Sequence, residues 1–397
     1  MTRTDESVPP LPQSRIDPLR PPDGLAELAA QGLTKVRFPN GVETWFATRY
    51  EDVRMVLGDS RFSAYRSGDE PSVRSEPITS MDIPANFNIR DGAAHQHYRL
   101  PLSRGFMVKR INAMRPRIQQ LVDEHLDAMQ RQGPPVDLIS ALCLPVPSLV
   151  IAELLGVPAT HRDLFQRTAR ALLGKYSTME EFQGLLAEMT VVLTELIDQK
   201  RRDGITSDLL GLMANAEEPF PDDELMFLGT GLLAAGHDTT ANFMALSVLA
   251  LFDDPDQRAA FMRDPENSGP AVEELLRFML PTGSGGIPRR ATEDVEVGGQ
   301  LVRSGEWVTI SSYANRDETL CPHAGTLDVR RPTPPHVAFG FGPHQCLGQN
   351  LARAELQIML TSLFTRFPTL QPEKDIRDLP YRNDMLVYGV YELPVVW

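Results

Sequence analysis

Cysteine is scarce in this chain. Three occur in 397 residues, Cys143, Cys321 and Cys346, an odd number and far apart. Such a set excludes a disulfide framework and indicates a reducing compartment, the cytoplasm. Long apolar runs are also missing. The longest, FMALSVLALF at 243–252, falls well short of the roughly 20 residues that span a bilayer, so no membrane association is expected. The opening MTRTDESVPP is polar and lacks the apolar core of a signal peptide. Basic charge is in deficit, 39 Lys and Arg against 53 Asp and Glu, for a net charge of −14. With no basic, aromatic-interleaved run, nucleic acid is not an expected partner. No Gly/Ser tract, charge block or repeat marks a linker. One domain over 1–397 is therefore expected, with 1–25 a proline-rich extended segment.

What is present reads as mainly helical with a minor β part. KVRFPNGVETWFATRY alternates around Asn40-Gly41, a hairpin signal. EDVRMVLGD follows as a short helix, and residues 63–90 show no periodicity and read as a long loop. From His95 to about Leu276 helical patterns dominate. Ile111, Met114, Ile118, Leu121 and Val122 share one face, and further helices are expected near 147–156, 160–174, 178–203 and 222–252. Residues 285–311 and parts of the last thirty switch to strand character.

The stretch HVAFGFGPHQCLGQNLARAEL, 336–356, holds Cys346 between glycines and just before a helical pattern. Cys346 could be a plain packing residue, the usual fate of a free cysteine. A zinc ligand needs more partners than His336 and His344 supply. The surroundings favour an iron ligand. Gly340, Gly342 and Gly348 allow tight turns or close approach to a large flat group, and amides at a helix N-terminus stabilise a thiolate. Cys143 and Cys321 read as packing residues.

Phe339, Gly342, His344, Cys346 and Gly348, with the run LARAEL at 351–356, resemble the ligand signature of the cytochrome P-450 family. Similarity runs from about residue 20 to Trp397, toward actinomycete, class I members acting on macrolides, sterol-like molecules and xenobiotics. The resemblance implies the P-450 fold, with haem b between a long central helix and the cysteine loop, its iron bound by the Cys346 thiolate. In ELMFLGTGLLAAGHDTTANFMALSVLALF, residues 229–234 match GxGxxA, but no strand precedes them and helical patterning runs straight through. Ala235, Gly236, Asp238, Thr239 and Thr240 instead resemble the family's oxygen-binding motif. Thr239 is then expected to stabilise the activated oxygen and Asp238 to relay protons, while His237 points away.

Haem carries two propionates that need cations. His95 and Arg99 lie four apart on one helix face. Strand alternation lets only one of Arg289 and Arg290 face the haem, and the family pattern selects Arg289. His344 is a further candidate. The family also implies a structural triad of Glu274, Arg277 and Arg331. Since no flavin or nicotinamide motif survives inspection, electrons are expected from a ferredoxin and its NAD(P)H-dependent reductase. Arg99, Arg104, Lys109, Arg110, Arg115 and Arg117 form a basic cluster that could dock the ferredoxin. The resemblance thus implies a monomeric, soluble monooxygenase. It would insert one atom of O2 into a bulky, mainly apolar molecule, as in polyketide or macrolide tailoring. Substrate contacts are expected from 75–90, 165–185, the start of the central helix, 282–288 and 383–390. The alternatives are a haem-thiolate enzyme with other chemistry, a non-catalytic haem-binding protein, or a nicotinamide dehydrogenase built on the GxGxxA match.

Overall fold

Gly41 takes a φ of 83°, in the left-handed region that the Asn40-Gly41 turn requires. It joins β1 (Thr34–Arg37) to β2 (Glu43–Ala47), with Arg37 opposite Glu43. The structure, a computed structural model, describes residues 8–66, 69–72, 84–172, 179–279, 287–332, 335–383, 385 and 387–397. Ahead of the hairpin lies α1 (Leu25–Ala30), and after it come α2 (Tyr50–Gly58) and β3 (Phe62–Ser63). A helical body follows: α3 (Gly92–Gly105), α4 (Val108–Gln132), β4 (Val136–Asp137), α5 (Pro145–Leu155), α6 (Arg162–Leu172), α7 (Met179–Asp203) and α8 (Leu209–Ala214). Then come α9 (Asp222–Asp253), α10 (Pro255–Arg263) and α11 (Gly269–Phe278). Four strands, β5 (Pro288–Ala291), β6 (Val295–Val297), β7 (Gln300–Val302) and β8 (Trp307–Ile310), precede the cysteine loop. The chain closes with α12 (Gln349–Arg366), β9 (Gln371–Pro372) and β10 (Pro394–Val396). The helix-rich expectation with a minor β part holds.

Amphipathic spacing decides the packing of the body. Ile111, Ile118, Leu121 and Val122 of α4 are buried and Met114 is partly buried. They join Leu149 of α5, Leu193 of α7, Leu249 of α9 and Met359 of α12 in one hydrophobic core. Each such side chain contributes roughly 1.5–3 kcal/mol on burial. α9 runs through this core. Asp222, Asp223 and Glu224 in its first turn suit the positive end of the helix dipole. From Thr240 to Leu251 every residue is buried. The 229–234 match lies inside this unbroken helix, which removes the turn a dinucleotide site needs.

A five-stranded sheet, ordered β1-β2-β8-β5-β3, flanks the helices. β2 runs parallel to β8, with Trp45 opposite Val308, whereas β5 pairs antiparallel with both β8 and β3. Val53 and Val56 of α2 pack on Val297 and Val308 in a second core. Among the described residues no helix is long and apolar enough to cross a membrane.

Candidate active site

The cysteine loop is shaped by its glycines. Gly340 and Gly342 both take a φ of 72°, a conformation that costs a residue with a Cβ. At Gly342 a Cβ would also lie 2.6 Å from the Leu57 carbonyl oxygen, inside any permissible contact. Gly348 is not at such a turn. Its φ is an ordinary −82° and a Cβ there would meet Phe106 at 3.9 Å, so no turn demands glycine. The Gly340 N–H donates to the Val337 carbonyl at 2.9 Å and the Cys346 N–H to the Phe339 carbonyl at 2.8 Å. The loop is tied to the rest of the chain through Asn315, whose side-chain oxygen accepts from the Val337 N–H at 2.7 Å.

Cys346 is accessible at its own surface although it sits deep in the molecule, as a residue lining an internal gap would. Burial pushes its thiol pKa up, and the amides of Gly348 and Gln349, with Arg99 and Arg353, pull the other way. These donors at the start of α12 are suited to a thiolate. Arg353 lies 4.5 Å over the Phe339 ring and is gripped by Glu273 at 2.6 and 3.0 Å. Glu273 also meets His336 Nε2 at 3.1 Å. Burial alone would raise the Glu273 carboxyl, but the bonds from His336 and Arg353 outweigh it and hold it at about 2.

The central helix presents an unusual stripe. Gly231, Ala235 and Thr239, spaced four apart, are exposed in the middle of an otherwise packed helix. The Thr239 hydroxyl donates to the Ala235 carbonyl at 2.7 Å, the back-bond that loosens a helix locally. Gly236 is not on this stripe, because one residue turns the helix about 100°. A Cβ on Gly236 would meet Ile151 of α5 at 3.5 Å, an ordinary contact, so packing there does not demand glycine. His237 is buried, in keeping with a side chain turned from the stripe.

Asp238 is held by a residue that sequence reasoning missed. Arg382 donates to its two carboxylate oxygens at 2.8 and 3.3 Å, and Arg382 is only 2% exposed. Asn242 Nδ2 adds bonds to the Asp238 carbonyl and carboxylate at 2.7 and 2.9 Å. A Cβ on Gly389 would come 2.0 Å from Asn242 Oδ1, so glycine is required where the C-terminal segment meets α9.

The expected propionate partners converge. His95 and Arg99 lie on α3, and the His95 ring stands 4.2 Å from that of His344. Arg99 donates to the Gln345 carbonyl in the cysteine loop. Arg289 is buried and Arg290 half-exposed, leaning on Trp307 and Asp69, as alternation requires. Arg66 also lies near Arg289, and its cationic charge lowers the Arg289 pKa further after burial has done most, down to about 10. Neither Arg66 nor Asp91 stands out in the sequence. Asp91 faces His344 at 3.5 Å. Burial would raise it, but bonds from His344, Ser63 and the Ala64 amide hold it at about 2. Burial, with His344 and Arg99 nearby, pushes His95 down to about 4, and its buried Nε2 has no partner.

This arrangement suits a haem. Arg66, Arg99 and Arg289 supply more positive charge than Asp91 balances, and among the described residues His95 has an orphaned donor or acceptor. A dianionic edge would answer both, as a flat group over the Gly231–Thr239 stripe would explain its exposure. The triad geometry is also in place. Arg277 donates to Glu274 at 2.7 and 2.8 Å and Arg331 Nε donates to Glu274 at 3.2 Å. The expected basic cluster, by contrast, is divided. Arg117 is paired with Glu153 at 2.8 Å, Arg115 bonds Gln357, and Arg110 bonds the Ser207 carbonyl. Arg104 and Lys109 remain exposed. Cys143 is fully buried. Of the expected substrate contacts, 75–83, 173–178, 282–286, 384 and 386 lie outside the described residues.

A single cysteine held by helix-start amides, an uncovered stripe on a long helix and a cationic edge define a haem-thiolate protein. Residues 270–392 match the sequence profile described as Cytochrome P450. The chain is 40% identical over 407 residues to cytochrome P450-SU2 of Streptomyces griseolus, covering 100% of both. It is 42% identical over 405 residues to nocardicin C N-oxygenase of Nocardia uniformis subsp. tsuyamanensis, again covering 100% of both. The solved structure of CYP105P1 in complex with filipin I matches with a TM-score of 0.88 at 39% identity, covering 98% of this chain and 99% of that one. The chain belongs to the cytochrome P450 family and is a P450 monooxygenase with a cysteine-ligated haem, Cys346 supplying the thiolate.

Proposed function

We propose that this monooxygenase acts in secondary metabolism, as one catalytic unit, on a bulky, mainly apolar small molecule, by hydroxylation or epoxidation. The observation that carries the reading is the stripe of Gly231, Ala235 and Thr239, an uncharged face with one hydroxyl at its end. A related enzyme named for nocardicin C and one that binds filipin I accord with substrates of that size. Bound haem supplies the chemistry of oxygen activation, which the protein orients and tunes. Cys346 holds the iron. Arg99 and Arg289 neutralise the propionates and His95 and His344 hydrogen-bond them, with Ala235, Phe339, Gly340 and Gly348 around the ring. Thr239 can shift its hydroxyl proton between the Ala235 carbonyl and a guest in the gap. Asp238 holds or passes a proton, and Arg382 keeps its carboxylate aimed. A library screen for spectral shifts on binding, followed by product analysis, tests the substrate class. Binding confined to small polar compounds would sink it.

Thr239→Ala should leave binding unchanged and lower product formed per NAD(P)H consumed, by up to about 10²-fold, the lower end of what a positioned proton donor contributes. Arg382→Lys keeps the charge but loses the two-pronged grip, so it should raise the solvent isotope effect on turnover. Unchanged coupling in Thr239→Ala would favour other haem-thiolate chemistry.

Electrons arrive, in this reading, from a ferredoxin and its reductase in the cytoplasm. With the basic cluster divided, Arg104 and Lys109 are the cations left to steer an acidic partner. Reversing both to glutamate should slow reduction at low salt, with the difference fading as salt rises. An unchanged rate and salt dependence would place docking elsewhere.

A further inference from the structure

A small cavity lies where the N-terminal segment crosses the ends of other elements. Arg15, Arg20, Leu246, Met279, Arg316 and Tyr388 line it, and it has room for about one water-sized guest. Its charge is unbalanced. Arg316 is 9% exposed, packs 4.1 Å over the Phe278 ring and donates Nη2 to the Phe278 carbonyl at 2.9 Å. Its Nε is buried without a partner. Arg15 lies 4.0 Å over the Tyr388 ring and donates Nη1 to the Arg20 carbonyl, while its Nη2 is buried without a partner.

The acids nearby are already matched. Asp17 and Asp253 both bind Arg377 at 3.0 Å and sit 3.8 and 3.7 Å from Arg20, two carboxylates for two cations. Asp23 accepts from the Ile16 N–H at 2.8 Å, and its charge reaches Arg15 only from beyond ion-pair contact. Among the described residues neither Arg15 nor Arg316 has a carboxylate at ion-pair distance. Burial pushes Arg316 down to about 9, and Arg277, Arg20 and Arg15 press the same way. Two largely buried guanidinium groups, with N–H groups orphaned among the described residues and no carboxylate in direct contact, are costly as they stand. An anion would supply the missing charge and accept from both orphans. The cavity is too small for a phosphate and suits a single-atom ion.

We propose that Arg15 and Arg316 bind one chloride ion, which clamps the N-terminal segment onto α9 and the end of α11. The test uses the full holoprotein. In sodium chloride its unfolding temperature should rise saturably above that in sodium gluconate of equal ionic strength, and Arg15→Gln should lose that chloride-specific rise. Arg15 sits on a surface segment, so this variant should fold even if Arg316→Gln does not. Crystals grown in sodium bromide should show an anomalous peak between the two guanidiniums. Equal unfolding temperatures in the two salts, a chloride effect that survives in Arg15→Gln, or no bromide peak would each overturn the proposal.

Discussion

Cys346→Ala, reduced and exposed to carbon monoxide, should show no absorption band of sulfur-ligated haem, and its turnover should fall on the order of a thousandfold or more. The loss is of one bond and of the electron density that the thiolate sends through iron. A thousandfold corresponds to about 4 kcal/mol of barrier, modest for the removal of a ligand that drives the chemistry. The fold should survive. Cys346 packs little of its own surface against the core, and its backbone bond to Phe339 does not involve the side chain. Far-UV circular dichroism and haem content on the same samples separate ligand loss from collapse. A persistent thiolate band in a folded Cys346→Ala protein would mean that another residue holds the iron.

Arg277→Ala should prevent folding or leave a protein about 3–5 kcal/mol less stable, the cost of breaking a buried ion pair from one side. Both Arg277 and Glu274 have side chains with 0% exposure. Besides Glu274, Arg277 donates to the carbonyls of Asn315, Ala324 and Thr326 at 2.7, 2.6 and 3.0 Å. Removing it leaves those acceptors and a buried carboxylate in want of partners, each orphaned group costing roughly 1–3 kcal/mol. Arg331, at 12% side-chain exposure, and the Asp328 amide at 3.0 Å would stay on Glu274 but cannot replace the fork. The damage should reach the haem. Arg277 fixes the Asn315 backbone, and the Asn315 side chain fixes Val337 at the root of the cysteine loop. Urea unfolding with haem retention as a second signal measures this. The double variant Glu274→Leu with Arg277→Leu should lose less than the sum of the singles, because it leaves no lone charge. A loss under about 1 kcal/mol in Arg277→Ala would show that the pair is dispensable.

Much of this was legible along the chain because the signals are local. Helical periodicity located α4, α5, α7 and α9, and the Asn-Gly turn located the first hairpin. The cysteine loop carries its chemistry in a dozen consecutive residues, and alternation, with the family pattern to choose between the two faces, told Arg289 from Arg290. What sequence could not show are meetings of distant segments. Arg382 is unremarkable until the C-terminal segment is laid on α9, where Gly389 and Asn242 bring it to Asp238. Asp91 and Arg66 likewise acquire meaning only beside His344 and Arg289. The same reason narrowed the basic cluster: Arg117 looked available until α5 set Glu153 against it. Gly236 and Gly348 show the converse. A motif can mark a glycine whose local geometry does not need one.

The pairing of Trp45 with Val308 in parallel register has a consequence for biogenesis. On the ribosome the first hairpin emerges early, yet its inner edge, β2, must wait for β8 before it is covered. An open edge with Phe46 and Ala47 behind it invites the wrong neighbour. Cys346 is made later still, so the cofactor's ligand is not yet on the chain while β8 is missing. Slowing translation upstream of codon 307 should therefore lengthen the vulnerable interval, and a holdase that shields strand edges should raise the yield of pigmented protein more than added haem precursor does.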